Sequence, residues 1–201
     1  YAVDRKPTME ESLAKLNLSV NDINIVVSTH LHWDHAGGNT TKGADGKIRP
    51  AFPNAKYIIQ RGEWEEATAP NERTRGSYHQ EDFLPLKEAG QLEFISGDKS
   101  IEDGIDIIQI PGHNRNFQTA LISSNKQKAI FLGDLIPTAS HLSYPYIMGY
   151  DLFPLETLKA KKQLLQRAAE EDWLLIFEHD PKVKMSHIEM QSGKPVLKEI
   201  V

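Results

Sequence analysis

Residues 30–35 read His-Leu-His-Trp-Asp-His, four metal-capable side chains in six positions. They follow an apolar, strand-like stretch at 23–27 and run into Ala36-Gly37-Gly38-Asn39. Ligands on a loop at the end of a strand are held by a rigid scaffold, which a reactive metal centre requires. His30 and His32 are two apart: on a helix they would point to nearly opposite sides, whereas in an extended segment they share a face. Both imidazoles reach one cation only if this stretch is extended or looped, unlike the helical H-E-x-x-H signature. Asp34 and His35 come where the chain must turn, so they can aim at a second position a few ångströms away. A carboxylate beside three imidazoles suits zinc, iron or manganese rather than calcium or magnesium.

Three further junctions offer ligands. Residues 105–110 alternate like a strand and lead into Pro111-Gly112-His113. The short apolar run 129–132 ends in Gly133-Asp134, and 173–177 ends in Glu178-His179-Asp180. Each time a short strand delivers a His or Asp at its C-terminal end, twice with a Gly that allows close backbone approach.

Taken together, the H-x-H-x-D-H at 30–35, the P-G-H at His113, the G-D at Asp134 and the E-H-D at His179 resemble the metallo-β-lactamase superfamily, in its lactonase-like and glyoxalase-II-like branch of hydrolases. The likeness runs from about Ser28 to about Pro181 and keeps the family's order. It implies an αββα sandwich, two mixed sheets flanked by helices. It also implies that His30, His32 and His113 hold one metal, that Asp34, His35 and His179 hold a second, and that Asp134 bridges them. A hydroxide between the two metals would be the nucleophile, with Asp34 orienting it or accepting a proton. Two divalent cations sharing a carboxylate bring the pKa of a bound water from about 16 to about 7. The expected cofactors are two divalent ions, zinc first, with iron or manganese as alternatives. The expected reaction is hydrolysis of a small ester-like substrate, a lactone or other carboxylic ester. The alternatives within the fold are a phosphodiesterase or nuclease and an iron-dependent oxidoreductase; outside catalysis, the alternative is a truncated, non-catalytic domain. Some lactonases place a Tyr three residues after the bridging Asp; here that position is Pro137.

Length and composition agree with one domain spanning 1–201. Because only twenty-nine residues precede the motif and the chain opens at Tyr1, that domain is expected to lack N-terminal strands. A formal charge of −5 gives no basic footprint for nucleic acid. No apolar run approaches the roughly 18 residues of a membrane span, so a small-molecule partner is expected and a membrane is not. With no cysteine, any metal must be held by His and carboxylates. That absence also suits a cytoplasmic location. Nothing in the sequence sets the oligomeric state.

Thr8-Met9-Glu10-Glu11 is a capping box that opens a short helix ending near Asn17, with Leu13 and Leu16 as its buried stripe. Residues 42–53 read as a loop, 57–59 as a strand and 62–68 as the start of a helix. The polar stretch 69–78 suits a lid or an interface. Strands are expected at 91–96, 101–110 and 119–123, and a terminal hairpin about Ser192-Gly193-Lys194. Pro154 opens the longest helix, to about Glu171, with Leu155, Leu158, Leu164, Leu165 and Ala168 inward and Lys159, Lys161 and Lys162 on a solvated face.

Residues 136–153 follow Asp134 and are rich in aromatics. There His141 is the candidate proton donor or oxyanion partner, and Tyr144, Tyr146, Met148 and Phe153 are candidate pocket walls, unless they simply pack under the following helix. Trp33 is expected to pack beside the site, and Arg115 to bind an anionic group or a surface carboxylate. His79 and His187 are expected to be structural or exposed. Asp180 either orients a ligand such as His179 or caps a turn before Pro181.

Overall fold

A computed structural model describes residues 7–200, so the expectation about how the chain opens at Tyr1 lies outside the described residues. The described residues form two compact units, one within 7–59 and 66–94, the other within 60–65 and 95–200.

In the first unit, the capping box at Thr8 is formed. The Glu11 N–H donates to Thr8 Oγ1 at 3.1 Å and the Thr8 N–H to Glu11 Oε2 at 2.8 Å, opening α1 (Met9–Ala14). The helix is one turn shorter than the sequence suggests. Leu16 therefore falls past its end and is 68% exposed, so no buried stripe forms. Strand β1 (Ile25–Val27) leads into α2 (Trp33–Ala36). The segment read as a loop contains a small hairpin, β2 (Thr40–Lys42) with β3 (Ile48–Pro50). Strand β4 (Lys56–Gln60) follows, buried from Tyr57 on, and leads into α3 (Arg61–Thr68), whose first five residues belong to the second unit; α4 (Leu84–Glu88) precedes β5 (Leu92–Ile95). The sheet order is β1-β4-β5, with β1 and β4 parallel.

The second unit is a seven-stranded sheet. Its strands are β6 (Lys99–Glu102), β7 (Ile105–Gln109), β8 (Gln118–Ser124), β9 (Gln127–Phe131), β10 (Leu174–Ile176), β11 (Met185–Gln191) and β12 (Lys194–Ile200), in spatial order β12-β11-β10-β9-β8-β7-β6. Asp103-Gly104 turns β6 back onto β7, with Gly104 at φ 75°, where a side chain would also strike the Ser123 carbonyl. The one parallel pair is β9–β10, and the chain between those two strands contains α5 (Pro154–Glu170). Its core includes Phe117, Ile130, Leu132, Leu165, Ala168, Trp173, Leu175 and Ile188.

The inward side of α5 differs from the reading of the sequence. Its buried residues are Thr157, Lys161, Leu164, Leu165 and Ala168, spaced four, three, one and three apart as one helical face requires, whereas Leu155 is 80% exposed. Lys161 thus sits on the buried face rather than the solvated one. Among the described residues no helix is long and apolar enough to cross a membrane. Mixed sheets with flanking helices are the α/β class expected from the motifs.

Candidate metal centre

The first unit carries four of the seven candidate ligands, His30, His32, Asp34 and His35. After β1 the chain stays extended through His32 (φ −61°, ψ 147°), which is the residue before the first turn of α2. His30 and His32 therefore share a face, and Asp34 and His35 fall in the helical turn beyond. The His30 ring, fully buried, lies 4.3 Å from the His32 ring and 4.1 Å from the His35 ring, centroid to centroid. Thr29 Oγ1 is 3.0 Å from Nδ1 of His30, which leaves Nε2 as the outward nitrogen. Asp34 Oδ2 is 3.7 Å from Nε2 of His35. Packing three imidazoles and a carboxylate this closely is costly without a cation among them. The Trp33 N–H donates to the Ser77 carbonyl at 2.8 Å and Tyr78 meets the His32 ring edge-on at 5.0 Å, so the polar stretch 69–78 is tied to the motif. Trp33 itself is 41% exposed and stacks on His79.

In the second unit topology brings the ligand candidates together. β8 is antiparallel to both β7 and β9, and β10 is parallel to β9, so the C-terminal ends of β7, β9 and β10 emerge at one sheet edge. His113, Asp134 and His179 follow those three ends. Nε2 of His113 is 3.2 Å from Asp134 Oδ2, and Nε2 of His179 is 3.0 Å from Asp134 Oδ1. One buried carboxylate thus presents one oxygen to each imidazole. On its other side, His113 Nδ1 is 3.0 Å from Asp151 Oδ1. Both ring nitrogens of His113 face carboxylate oxygens, so either the ring carries two protons or Nδ1–H donates to Asp151 and Nε2 faces a cation. The second is the usual arrangement of a metal-bound histidine.

The turn that carries His113 is tightly built. A side chain at Gly112 would place its Cβ 2.6 Å from Thr157 Oγ1 and 2.9 Å from Thr157 Cα, so only glycine lets α5 approach here. The Leu152 N–H donates to the His113 carbonyl and the Phe153 N–H to the Gly112 carbonyl, both at 2.9 Å. Asn114 Nδ2 donates to buried Glu63 at 2.8 Å. His179 is set by its own N–H, which donates to the Pro137 carbonyl at 3.0 Å.

His141 lies on a single 3-10 turn (Ala139–Leu142), with Nδ1 2.8 Å from Thr138 Oγ1. Burial holds its pKa below the usual 6.5, helped by the charge of Lys161 and opposed by Asp151 and Asp134. Asp180 takes the second of its two expected roles: it accepts from the N–H groups of Lys182 and Val183, capping the turn, and from the Ala139 N–H, anchoring the His141 turn. Those backbone donors hold its carboxyl below the usual range. Of the aromatic loop, Tyr144 packs on the core while Tyr146 and Tyr150 are exposed. Arg115 lies over the Phe153 ring at 4.5 Å. His187 pairs with Asp172 at 3.4 Å, a structural role.

Three residues of consequence escaped the reading of the sequence: Asp151, Thr157 and Lys161. Thr157 Oγ1 donates to Asp151 Oδ2 at 2.7 Å. Lys161 Nζ, with no exposed surface, donates to the carbonyls of Ser143 at 2.8 Å and Tyr146 at 2.7 Å. Burial pulls its pKa from 10.5 to about 8, against the pull of Asp151. The spacing of Thr157 and Lys161 from Leu164, Leu165 and Ala168 was the available signal.

Comparison with known proteins agrees with this arrangement. The chain is 29% identical over 193 residues to an N-acyl homoserine lactonase of Bacillus cereus, matching 94% of this chain and 66% of that protein. It therefore spans just under two thirds of the curated relative's length. Among solved structures, a probable metal-dependent hydrolase from Staphylococcus aureus superposes with a TM-score of 0.87 at 26% identity, over 100% of this chain and 72% of that one. An N-acyl homoserine lactone hydrolase with N-hexanoyl-L-homoserine at its catalytic metal centre gives 0.66 at 26% identity, over 86% and 62%. Its sequence matches the superfamily from residue 3 to residue 179, through both units, and the chain belongs to the metallo-beta-lactamase superfamily.

Proposed function

We propose that the chain is a single-domain, metal-dependent hydrolase of a small carboxylic ester, a lactone first. His30, His32 and His113 would hold one divalent ion and Asp34, His35 and His179 a second, with Asp134 as a ligand available to both. The observation that carries this reading is Asp134, with an imidazole Nε2 at 3.2 Å from one oxygen and at 3.0 Å from the other. The imidazole and carboxylate donors fit zinc, with iron or manganese next. The names of the relatives, lactonases among them, favour the lactone. Bound ions of this kind supply a Lewis acid and a water acidic enough to give hydroxide near neutral pH.

The protein's own groups then have separable tasks. Asp151 fixes the His113 tautomer and its ring plane. Asp34, exposed where His30 is buried, is placed to orient the attacking water or take its proton. His141 is uncharged at neutral pH because its pKa lies below 6.5. When Thr138 donates to its Nδ1, its Nε2 carries the proton and offers an N–H to a carbonyl oxygen that gains charge. That donor serves where Pro137 leaves no tyrosine hydroxyl.

The test begins with metal content by plasma mass spectrometry on protein purified without added metal. It continues with hydrolysis of p-nitrophenyl acetate, an N-acyl homoserine lactone and bis-p-nitrophenyl phosphate. Two ions per chain, with ester or lactone turnover lost to a chelator and restored by zinc, is the expected result. Preference for the phosphodiester would move the substrate class. A single iron would point to the oxidoreductase, and no metal uptake on reconstitution would overturn the reading.

A further inference from the structure

Helix α5 buries two polar side chains one turn apart, and both serve the loop that precedes it. A core-facing stripe would ordinarily hold apolar residues at 157 and 161, as it does at Leu164, Leu165 and Ala168. Instead, Lys161 Nζ takes the carbonyls of Ser143 and Tyr146, with that of Tyr144 at 3.5 Å. Thr157 Oγ1 donates to Asp151. The loop needs such partners, because within 143–151 its own backbone bonds include only single turns, Tyr146 N–H to Ser143 and Asp151 N–H to Met148. At 152–153 it is already fixed to the backbone of Gly112 and His113. Asp151 stands next to that anchor, and α5 ties the loop at both extremities, by Lys161 at Ser143 and Tyr146 and by Thr157 at Asp151.

We infer that Thr157 and Lys161 are positioning residues for the metal centre: they pin loop 143–151 so that Asp151 holds His113 by Nδ1 and leaves Nε2 for a cation. This rests on the ligand assignment proposed above. Two features separate it from simple loop packing. Each oxygen of Asp151 has its own partner, Oδ1 with His113 and Oδ2 with Thr157, so a shift of Thr157 rotates the group that orients the ligand. Lys161 is buried with no carboxylate within ion-pair distance among the described residues, so its place is set by carbonyls of the loop and not by a salt bridge that any surface could supply. Outer partners of a ligating histidine change metal affinity by about 10- to 100-fold.

The experiment measures zinc affinity on the full chain by competition with a chromophoric chelator, together with the visible spectrum of the cobalt-loaded protein and the melting temperature of the metal-free protein. T157V is expected to weaken one of two zinc sites by about tenfold or more and to alter the cobalt spectrum. T157S, which keeps the hydroxyl, restores both. K161M is expected to weaken the same site. A wild type that binds two zinc ions, with T157V and K161M binding equally well and melting lower, would make both residues merely structural and overturn the inference while leaving the ligand assignment standing. A wild type that takes up no zinc would overturn both together. T157V and T157S differ from the native residue by one or two atoms, so they decide the matter even where K161M does not fold.

Discussion

The buried lysine makes a signed prediction about stability against pH. Lys161 in the folded chain has a pKa of about 8, against 10.5 when solvated, chiefly because burial strips water from its ammonium group. Below pH 8 folded and unfolded chains both carry the proton, and the folded chain bears the full cost of burying it. Between about 8 and 10.5 the unfolded chain binds a proton that the folded chain does not, so stability rises with pH. The fall from 10.5 to about 8 corresponds to about 3 kcal/mol. A series that stops at pH 10, short of 10.5, spans about 2 kcal/mol of this. K161M has no such group, so the difference in unfolding free energy between wild type and K161M isolates it from every other titration. Urea unfolding of metal-free protein, followed by tryptophan fluorescence at pH 7, 8, 9 and 10, should show wild type gaining about 2 kcal/mol on K161M over that range. A constant difference would mean that Lys161 keeps its ordinary pKa and is hydrated. A difference that shrinks with pH would mean that the ammonium's bonds to Ser143 and Tyr146 outweigh its desolvation.

Changes at four other residues test other parts of the structure. Asp134→Asn replaces one of two imidazole-facing oxygens by an amide nitrogen, so metal content should fall to about one ion per chain and hydrolysis with it; two ions retained would exclude a bridging role. Asp151→Asn keeps an acceptor for His113 and can donate to Thr157, whereas Asp151→Ala keeps neither. Zinc affinity should fall by about tenfold in the first and about a hundredfold in the second, and equal losses would show that charge alone matters. His141→Ala should lower kcat by about a hundredfold with little change in KM, and an unchanged kcat would remove His141 from the reaction. Leu165, fully buried in the core of the second unit, should cost about 2–5 kcal/mol as Ala in urea unfolding; under about 1 kcal/mol would mean that the seam beneath α5 repacks.

What the sequence disclosed and what it hid follow from range. Seven ligand candidates could be named because the 30–35 motif and the three later residues all follow short apolar strands, and strand ends are local events. The spacing of His30 and His32 even required the extended backbone that is observed. The hairpin of β2 and β3 was not legible, since each strand has three residues and the glycines and prolines around them signal a loop more loudly than so short an alternation signals a strand. Asp151 was hidden because its partner His113 lies thirty-eight residues away and its loop has no period. Lys161 was a different failure, one of priority between two rules. Charge says outward, and position four after Thr157 and three before Leu164 says inward. Position won because the loop over α5 turns the carbonyls of Ser143, Tyr144 and Tyr146 toward the helix, and an ammonium with three donors is a side chain that can reach them. A charged residue at the buried phase of a long helix is therefore a pointer to irregular backbone above it, and here that backbone is the segment that holds Asp151 against His113.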